Sequence, residues 1–376
     1  MGGFSVGAGW LPQEKDGHDA RVGRIRSGVP RCAGGVAREE TLGVETPLDI
    51  FACPVCHARA PQQTSEGWSC QECNADYPPG DVSVFIPTGP IDWAEEASTG
   101  RMAINDYYQG RLDRGDGWWV DKNEYNALLR GHDWRAYRSP IVEYIARRYP
   151  NPVIVDAGGG DGWVMKRCEE SVVGMRGVVV DLSDVVVANG MNQNQLRAVA
   201  GVSGAIDHLP FESDSVDCVI AIEVMEHVRR PADAFASVYR VLKPGGCFIL
   251  TTPNPLSYAL WIEEGRFKGL LDGMGSMLRG KVPAKQSEVR EVDGGLERYL
   301  TPEQLVHFGR DAGFGEIRHR SVGIGLAPML YYRAENRRWP LSFVRTYERF
   351  ASRAERVLVY PGWLPWGKVQ RVTCVK

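Results

Sequence analysis

The chain has 376 residues, of which 43% are hydrophobic, 24% charged and 10% aromatic, with a formal net charge of −3. That composition excludes a mostly disordered chain, and the near-neutral balance gives no global argument for nucleic acid or an anionic membrane as partner. The length accommodates about two or three domains, and glycine is in excess: 43 residues, about 11% against a norm near 7%.

No apolar run reaches the ~18 residues of a transmembrane helix. Residues 1–13 lack a basic segment followed by a continuous apolar one, so a signal peptide is not expected. The start, Met1-Gly2-Gly3-Phe4-Ser5-Val6, misses the Ser/Thr of a myristoylation motif. Of nine cysteines, four form two CxxC pairs; Cys32, Cys168, Cys218, Cys247 and Cys374 are scattered. This usage fits a reducing cytoplasm.

Residues 1–48 are rich in Gly, Arg and Glu without periodicity and read as a disordered leader. Residues 49–88 hold Cys53-Pro54-Val55-Cys56 and Cys70-Gln71-Glu72-Cys73. Four thiolates in two CxxC knuckles suit a tetrahedral Zn²⁺, and about 40 residues cannot bury much core without such a staple. Two disulfides or a redox CxxC are the alternatives, and His57 is a weaker candidate ligand. Residues 89–138 are aromatic and charged and read as a partly helical linker or lid.

From residue 139 the pattern becomes regular. Ser139-Pro140 is expected to open a helix, with Ser as N-cap and Pro at the first position. Short apolar runs at Val153–Val155, Val178–Val180, Val216–Ile222 and Phe248–Thr251 alternate with helical patterns, which predicts a parallel sheet covered on both faces. Ile317–Val322 and Val369–Val375 alternate apolar and polar residues, as edge strands would.

The strongest signal is Val153-Ile154-Val155-Asp156-Ala157-Gly158-Gly159-Gly160-Asp161-Gly162, a strand running into glycines and then a helix. A GxGxxG dinucleotide site fits badly, because Trp163 stands where its third glycine packs helix on strand. An acid at the strand end suits an ammonium group rather than a pyrophosphate. The DxGxGxG pattern resembles motif I of class I S-adenosylmethionine (SAM)-dependent methyltransferases. Further segments carry the resemblance in order: Asp181-Leu182 at the end of the second strand, Leu209-Pro210-Phe211, Asp214–Ile220, Glu223-Val224-Met225-Glu226-His227-Val228, Tyr239–Gly246, and Leu300–Leu305 with Ala312-Gly313-Phe314.

The resemblance, which covers roughly residues 139–325, implies a Rossmann-like, seven-stranded, mostly parallel α/β sheet with helices on both faces. It implies that Asp156, Gly158, Gly159, Gly160 and Gly162 meet the amino-acid part of SAM and that Asp181 and Leu182 meet the ribose. Many relatives carry an Asp at the position of Ala205 for the adenine amine; here either Asp207 takes that role or the backbone and apolar edge around Ile206 does. Glu223 is a further candidate for cofactor contact. Asp161 is expected only to cap the next helix. His227 is the candidate general base, with a structural turn histidine as the alternative.

Strand four leads into Ile222-Glu223-Val224-Met225, not an Asn/Asp-Pro-Pro-Tyr/Phe motif, and no Pro-Cys dipeptide occurs. Methylation of exocyclic adenine amines, glutamine amides and cytosine C5 is thereby disfavoured. Asp76-Tyr77-Pro78 after the cysteines resembles the zinc ribbon of the tRNA-methyltransferase-activator type, with a departure at Asp81-Val82-Ser83-Val84.

A glycine-bearing insertion over 261–299 is expected to cover the acceptor pocket, or to be a surface loop. Residues 310–376 hold 13 Lys and Arg against five Asp and Glu. Within 326–376, Leu341, Val344, Tyr347, Ala351, Ala354 and Leu358 fall at helical spacing. Such a helix is expected to pack on its own domain or on a second subunit; a basic face for an anionic membrane or RNA is the alternative. The expected activity is methyl transfer from SAM to a small-molecule acceptor such as a quinone, lipid or secondary metabolite. An rRNA or tRNA methyltransferase is the second reading and a non-catalytic scaffold the third.

Overall fold

The structure is a computed structural model and describes residues 48–59, 61–88, 90–113, 134, 138–255, 290–292, 295–322, 340–358 and 369–376. The chain divides into Met1–Gly43 and Val44–Lys376, and every described residue belongs to the second unit. The expected leader lies outside the described residues except for Leu48, as do residues 261–289 of the insertion and most of 114–137.

The cysteine-rich segment forms strands β1 (Gln62–Thr64), β2 (Gly67–Ser69) and β3 (Asp76–Tyr77), paired antiparallel in that order. A two-residue strand, β4 (Ser83–Val84), follows, then helix α1 (Ala94–Asp113). Next come α2 (Ser139–Arg148), β5 (Val153–Ala157), α3 (Trp163–Ser171), β6 (Arg176–Asp181), α4 (Asp184–Asn194), β7 (Val199–Ser203), β8 (Val216–Ile222), α5 (Pro231–Val241) and β9 (Leu242–Pro253). The chain continues with a hairpin of β10 (Arg290–Val292) and β11 (Gly295–Glu297), then α6 (Pro302–Ala312), β12 (Glu316–Val322), α7 (Leu341–Leu358) and β13 (Val369–Val375). Among the described residues no helix is long and apolar enough to cross a membrane.

The main sheet has eight strands in the order β12-β13-β9-β8-β5-β6-β7-β4. Six of them are parallel; β13 lies antiparallel between β9 and β12. Seven strands match the expected sheet. The eighth, β4, comes from the cysteine-rich segment and pairs Ser83 with Val202 and Val84 with Ser203. Val369–Val375 is therefore an interior strand, not the edge its alternating pattern suggested; of the two expected edges Glu316–Val322 is one, and the other edge of the sheet is β4. β7 escaped sequence reading because Ala198-Val199-Ala200-Gly201-Val202 has small side chains and a glycine inside the strand, so no run of large apolar residues marks it.

Side chains alternate between two cores, as the two-residue period of a strand requires. Val153, Val155, Val178, Val180, Val219, Ala221, Phe248 and Leu250 face Ala234, Phe235, Val238 and Leu305 of α5 and α6. Ile154, Val179, Cys218, Ile220, Cys247 and Ile249 face Ile141, Ile145, Val164, Met165, Val186 and Val187 of α2, α3 and α4. A buried side chain such as Phe248 contributes about 1.5–3 kcal/mol by leaving water.

Two helix starts are capped as local chemistry dictates, and one departs from its expected cap. Ser183 caps α4 by accepting from the Val186 N–H, and Thr301 forms a capping box with Gln304 ahead of Pro302. Ser139 is not the N-cap of α2: Arg138 holds that position in a helical conformation, and the Ser139 hydroxyl donates to Glu143 Oε1 at 3.0 Å. The chain enters α2 through a helical residue, so the serine sits one step inside.

Candidate active site and cysteine cluster

The strand order reverses between β5 and β8, the switch point where α/β sheets open a crevice at their carboxyl ends. The glycine turn after β5 lies there. Gly158 and Gly159 N–H groups both donate to Val180 O (2.6 and 3.2 Å), and Gly162 N–H donates to Gly159 O at 2.9 Å. Gly160 has φ +54°, and a Cβ there would meet nothing within 4 Å, so its position opens onto free space. At Gly159 the reverse holds: a Cβ would stand 2.8 Å from Asp156 Oδ2. The turn is thus pressed against the Asp156 carboxyl on one side and open on the other.

Asp156 is 2% exposed, and its Oδ2 has no hydrogen-bond partner. Burial pushes its pKa up to about 7; Arg138 opposes the shift, while Asp181 and Asp161 reinforce it. A buried carboxyl oxygen without a donor suits a cationic N–H donor. Asp181, at the end of β6, is satisfied instead. Gly160 N–H donates to its Oδ2 and Ser183 N–H to its Oδ1, both at 3.0 Å. Burial raises the Asp181 pKa and these backbone bonds hold it back. Asp161 Oδ1 accepts from Trp163 N–H at 3.1 Å, but from one residue outside the expected place, because the N-cap of α3 is Gly162 in the left-handed region.

Helix α1 lies along the loop that follows β6. Asn105 Nδ2 donates to Asp184 Oδ1 (2.7 Å), Ser183 Oγ donates to Asn105 Oδ1 (2.7 Å), and Arg101 pairs with Asp184 at 3.4 Å. Gly100 faces Leu182 Cδ1, and burial together with the charges of Asp181 and Asp161 raises the Tyr108 pKa. On the adenine side, Ile206 is 8% exposed and belongs to the core. Asp207 accepts from the Arg230 guanidinium at 3.3 Å, while His208 Nδ1 stands 3.2 Å away without a hydrogen bond and its ring stacks on Trp93 with centroids 3.9 Å apart.

Beyond β8 the backbone turns through Glu223 at φ +57°, with its Oε1 accepting from Thr251 Oγ1 at 2.9 Å. Val224 packs toward Gly158. Glu226 is 2% exposed and accepts from Thr252 Oγ1 at 2.9 Å; burial, then the neighbouring Glu223, holds its pKa well above the usual carboxyl range. His227 is exposed on the same turn. A buried polar row continues across the sheet end: Asn254 Nδ2 donates to Ser321 Oγ at 3.2 Å, and Gln370 Nε2 donates to Leu300 O at 2.6 Å. Arg298, at the end of the insertion, fastens this turn, its N–H donating to Glu226 O at 3.0 Å and its guanidinium to Arg229 O at 2.7 Å.

The four cysteines Cys53, Cys56, Cys70 and Cys73 come together with every Sγ within 4.8 Å of the others. Cys53–Cys73 and Cys56–Cys70 are each 3.6 Å apart, close to the ~3.7 Å edge of a tetrahedron with ~2.3 Å metal–sulfur bonds. They are free thiols rather than disulfides, whose sulfurs stand ~2.05 Å apart. The two knuckles repeat one backbone pattern. Cys53 N–H donates to Ala58 O and His57 N–H to Cys53 O; Cys70 N–H donates to Ala75 O and Asn74 N–H to Cys70 O. His57 and Asn74 take φ 62° and 58° at equivalent places. His57 is outside the cluster, whereas the buried Tyr77 hydroxyl lies 2.8 Å from Cys53 Sγ.

Sequence reading missed Arg138, Asn105 and Tyr108, which approach the site from elements with no motif of their own. Their only signal was the aromatic and charged composition of 89–138.

Comparisons with known proteins bear on this geometry. A family model described as a methyltransferase domain matches residues 155–250, from β5 through the turn after β8 into β9. The chain carries a SAM-dependent methyltransferase domain. Ubiquinone/menaquinone biosynthesis C-methyltransferase UbiE of Cereibacter sphaeroides is 25% identical over 212 residues, covering 54% of this chain and 82% of that protein. An uncharacterized methyltransferase of Mycobacterium marinum is 33% identical over 154 residues, 41% of this chain and 54% of its own length. A SAM-dependent methyltransferase structure from Mesorhizobium loti is 17% identical with a TM-score of 0.43, covering 66% of this chain and all of that one (100%).

Proposed function

We propose that this enzyme methylates a small, largely apolar acceptor of the quinone or lipid class, and that the site after β5 and β6 holds SAM. The observation that carries the cofactor assignment is the orphaned, buried Asp156 Oδ2 beside an open glycine turn. When bound, SAM supplies a methyl group already activated by its sulfonium charge. Asp156 accepts from the ammonium group of the amino-acid part. Gly158, Gly159, Gly160 and Gly162 keep the turn free of side chains there. Asp181, oriented by two backbone N–H groups, accepts from the ribose hydroxyls beside Leu182. With Asp207 held by Arg230, the adenine falls to the backbone and apolar edge at Ala205 and Ile206.

On the acceptor side, Glu223 shapes the turn through its bond to Thr251, and His227 is assigned the proton acceptor. Positioning supplies much of the acceleration, because aligning a nucleophile with an activated methyl converts a bimolecular encounter into an effectively unimolecular step. The similarity to the C-methyltransferase UbiE supports the quinone class of acceptor. The segment 261–299 is assigned as the cover of that pocket.

The free thiols of Cys53, Cys56, Cys70 and Cys73 are assigned a structural Zn²⁺, with the Tyr77 hydroxyl as outer partner to Cys53. The segment 49–88 is then a zinc ribbon, and its role is structural.

Calorimetric SAM titration tests the cofactor site. Gly160→Arg fills the open space and is expected to abolish measurable binding while thermal unfolding stays cooperative; unchanged affinity would sink the assignment. Transfer of labelled methyl into fractionated cell extract then identifies the acceptor pool, and label confined to RNA would overturn the small-molecule reading.

A further inference from the structure

Helix α1 runs from the loop after β7 to the loop after β6, and packing does not account for its polar side chains. Of its 20 residues only Ala94 is fully buried, so no continuous apolar seam places the helix. Trp93, just before it, stacks on His208. Arg101, Asn105 and Tyr108 follow at spacings of four and three, which puts them on one face. Asn105 uses both ends of its amide. Its Nδ2 donates to Asp184 Oδ1 and its Oδ1 accepts from Ser183 Oγ, each at 2.7 Å. Ser183 is 0% exposed, and its hydroxyl oxygen accepts from Val186 N–H at 3.2 Å, so the Asn105 oxygen is where its proton goes. The backbone N–H of the same serine donates to Asp181 Oδ1 at 3.0 Å. Ser183 thus connects Asn105 directly to the carboxylate at the end of β6.

That carboxylate has little freedom to spare. Its Oδ2 accepts from Gly160 N–H, so both oxygens already hold a backbone donor, and each offers its remaining lone pair to a ligand. Hydrogen bonds weaken steeply once donor and acceptor are misaligned. A small rotation at Ser183 would therefore turn Asp181 away from a pair of vicinal hydroxyls. From the other side, β7 and the residue after it fix the loop backbone: Ser203 Oγ donates to Leu182 O at 2.8 Å and Gly204 N–H to Asp181 O at 2.9 Å. The loop is thus held without Asn105. What Asn105 adds is the orientation of the Ser183 hydroxyl and, through that residue, of the Asp181 carboxylate. We propose that Asn105 is a positioning residue for the cofactor, presenting Asp181 to the ribose hydroxyls of SAM from a helix outside the family-matched residues 155–250. The inference rests on the assignment of this site to SAM. Arg101, 3.4 Å from Asp184, leaves that buried carboxylate paired when the Asn105 amide is removed.

Calorimetric titration of the full chain with S-adenosylhomocysteine, the demethylated form of SAM, tests this against its 2′,3′-dideoxy analogue, which lacks both ribose hydroxyls. Asn105→Ala is expected to weaken S-adenosylhomocysteine about tenfold. The analogue should weaken by less than about twofold, because Asp181 has no hydroxyl to meet on it. Thermal unfolding should stay cooperative, since alanine is the strongest helix former. In an Asp181→Asn background the same substitution should cost less than about twofold, because the group it acts through is already lost. Equal weakening of both ligands, full additivity with Asp181→Asn, or unchanged affinity overturns the proposal, and Asn105 then serves only to hold α1. Those outcomes leave the SAM assignment standing. No binding by the parent chain, or undiminished binding by Gly160→Arg, sinks that assignment and this inference with it.

Discussion

The cysteine-rich segment and the parallel sheet solve the same problem by opposite means. Around the sheet, 28 buried hydrophobics among the described residues form the core on one face and 17 on the other, shared between strands and the helices that cover them. The three short strands between residues 62 and 77 surround only Cys53, Cys70, Ala75 and Tyr77 as fully buried hydrophobics. So small a core cannot offset the ordering of some 40 residues, and four converging thiols supply what it lacks. Yet the small unit is not an appendage. Phe51 and Phe85 sit in the sheet's own core, with Phe51 stacked on Phe85 at 5.2 Å and against Phe211 at 5.5 Å. Ile50 O and Ala52 N–H bond to Glu212 and Pro210, and β4 extends the sheet. On the zinc assignment proposed above, a metal-dependent unit is fused to a metal-independent one through aromatic rings and two strand pairings.

The largest expected effect breaks that fusion at the metal. Chelation of the full chain should remove a binding energy of about 10 kcal/mol or more. Hydrogen exchange should then show lost protection over residues 62–77, with β5, β6, β8 and β9 still protected. Equal loss in both regions would mean that the sheet depends on the metal too.

Phe51→Ala attacks the joint instead and should cost about 3–5 kcal/mol, read by denaturant unfolding. Here an early unfolding phase confined to the cysteine-rich segment would show that the joint, rather than either unit, is the weak point.

The third experiment separates the two site carboxyls. The Asp156 pKa stands near 7 in the unliganded chain against 3.8 for an ordinary aspartate. Its folded-state pKa is raised, so stability is greatest below the unfolded value and is lost as pH climbs from about 3.8 to about 7. Asp156→Asn should make the unliganded chain more stable than the parent above pH 7 and not at acid pH. The same variant should weaken SAM about a hundredfold, or about 3 kcal/mol. In the parent, SAM affinity should fall about tenfold per pH unit below about 7, because the ammonium partner must be ionised Asp156. A flat profile would return Asp156 to a purely structural role.

The smallest effect sharpens the comparison by contrast. Arg59 pairs with Glu212 across the same joint, but its side chain is 76% exposed. Arg59→Ala should move stability by no more than about 0.5 kcal/mol. A larger cost would mean that charge, not ring packing, holds the joint.

Much of this was legible before any coordinates. Val153–Gly162, Asp181 and the two CxxC pairs each combine residue types that few other structures require, and each appears where it was expected. The four strands of continuous apolar residues were legible for a related reason: a strand covered on both faces leaves little room for polar side chains. β7 was not, because small residues carry no strong period, and β13 was misplaced to an edge. Its Arg371 and Thr373 alternate with buried Val372 and Cys374 although neighbours flank it on both sides. Alternation reports which face is wet, not whether an edge is free.

Local sequence therefore determined the turn, the strand cores, the helix caps at Ser183 and Thr301 and the grouping of thiols, since all of these are set by residues near one another in the chain. Tertiary structure decided the rest. Only assembly leaves Asp156 Oδ2 without a donor and brings Asp181 the Gly160 N–H from the turn after another strand, beside the Ser183 N–H that its own loop supplies. Only assembly occupies Asp207 with Arg230, buries Glu226 beneath Thr252, and makes β4 the eighth strand. The physical reason is common to all four: desolvation and long-range pairing depend on what packs nearby, and no local pattern records that.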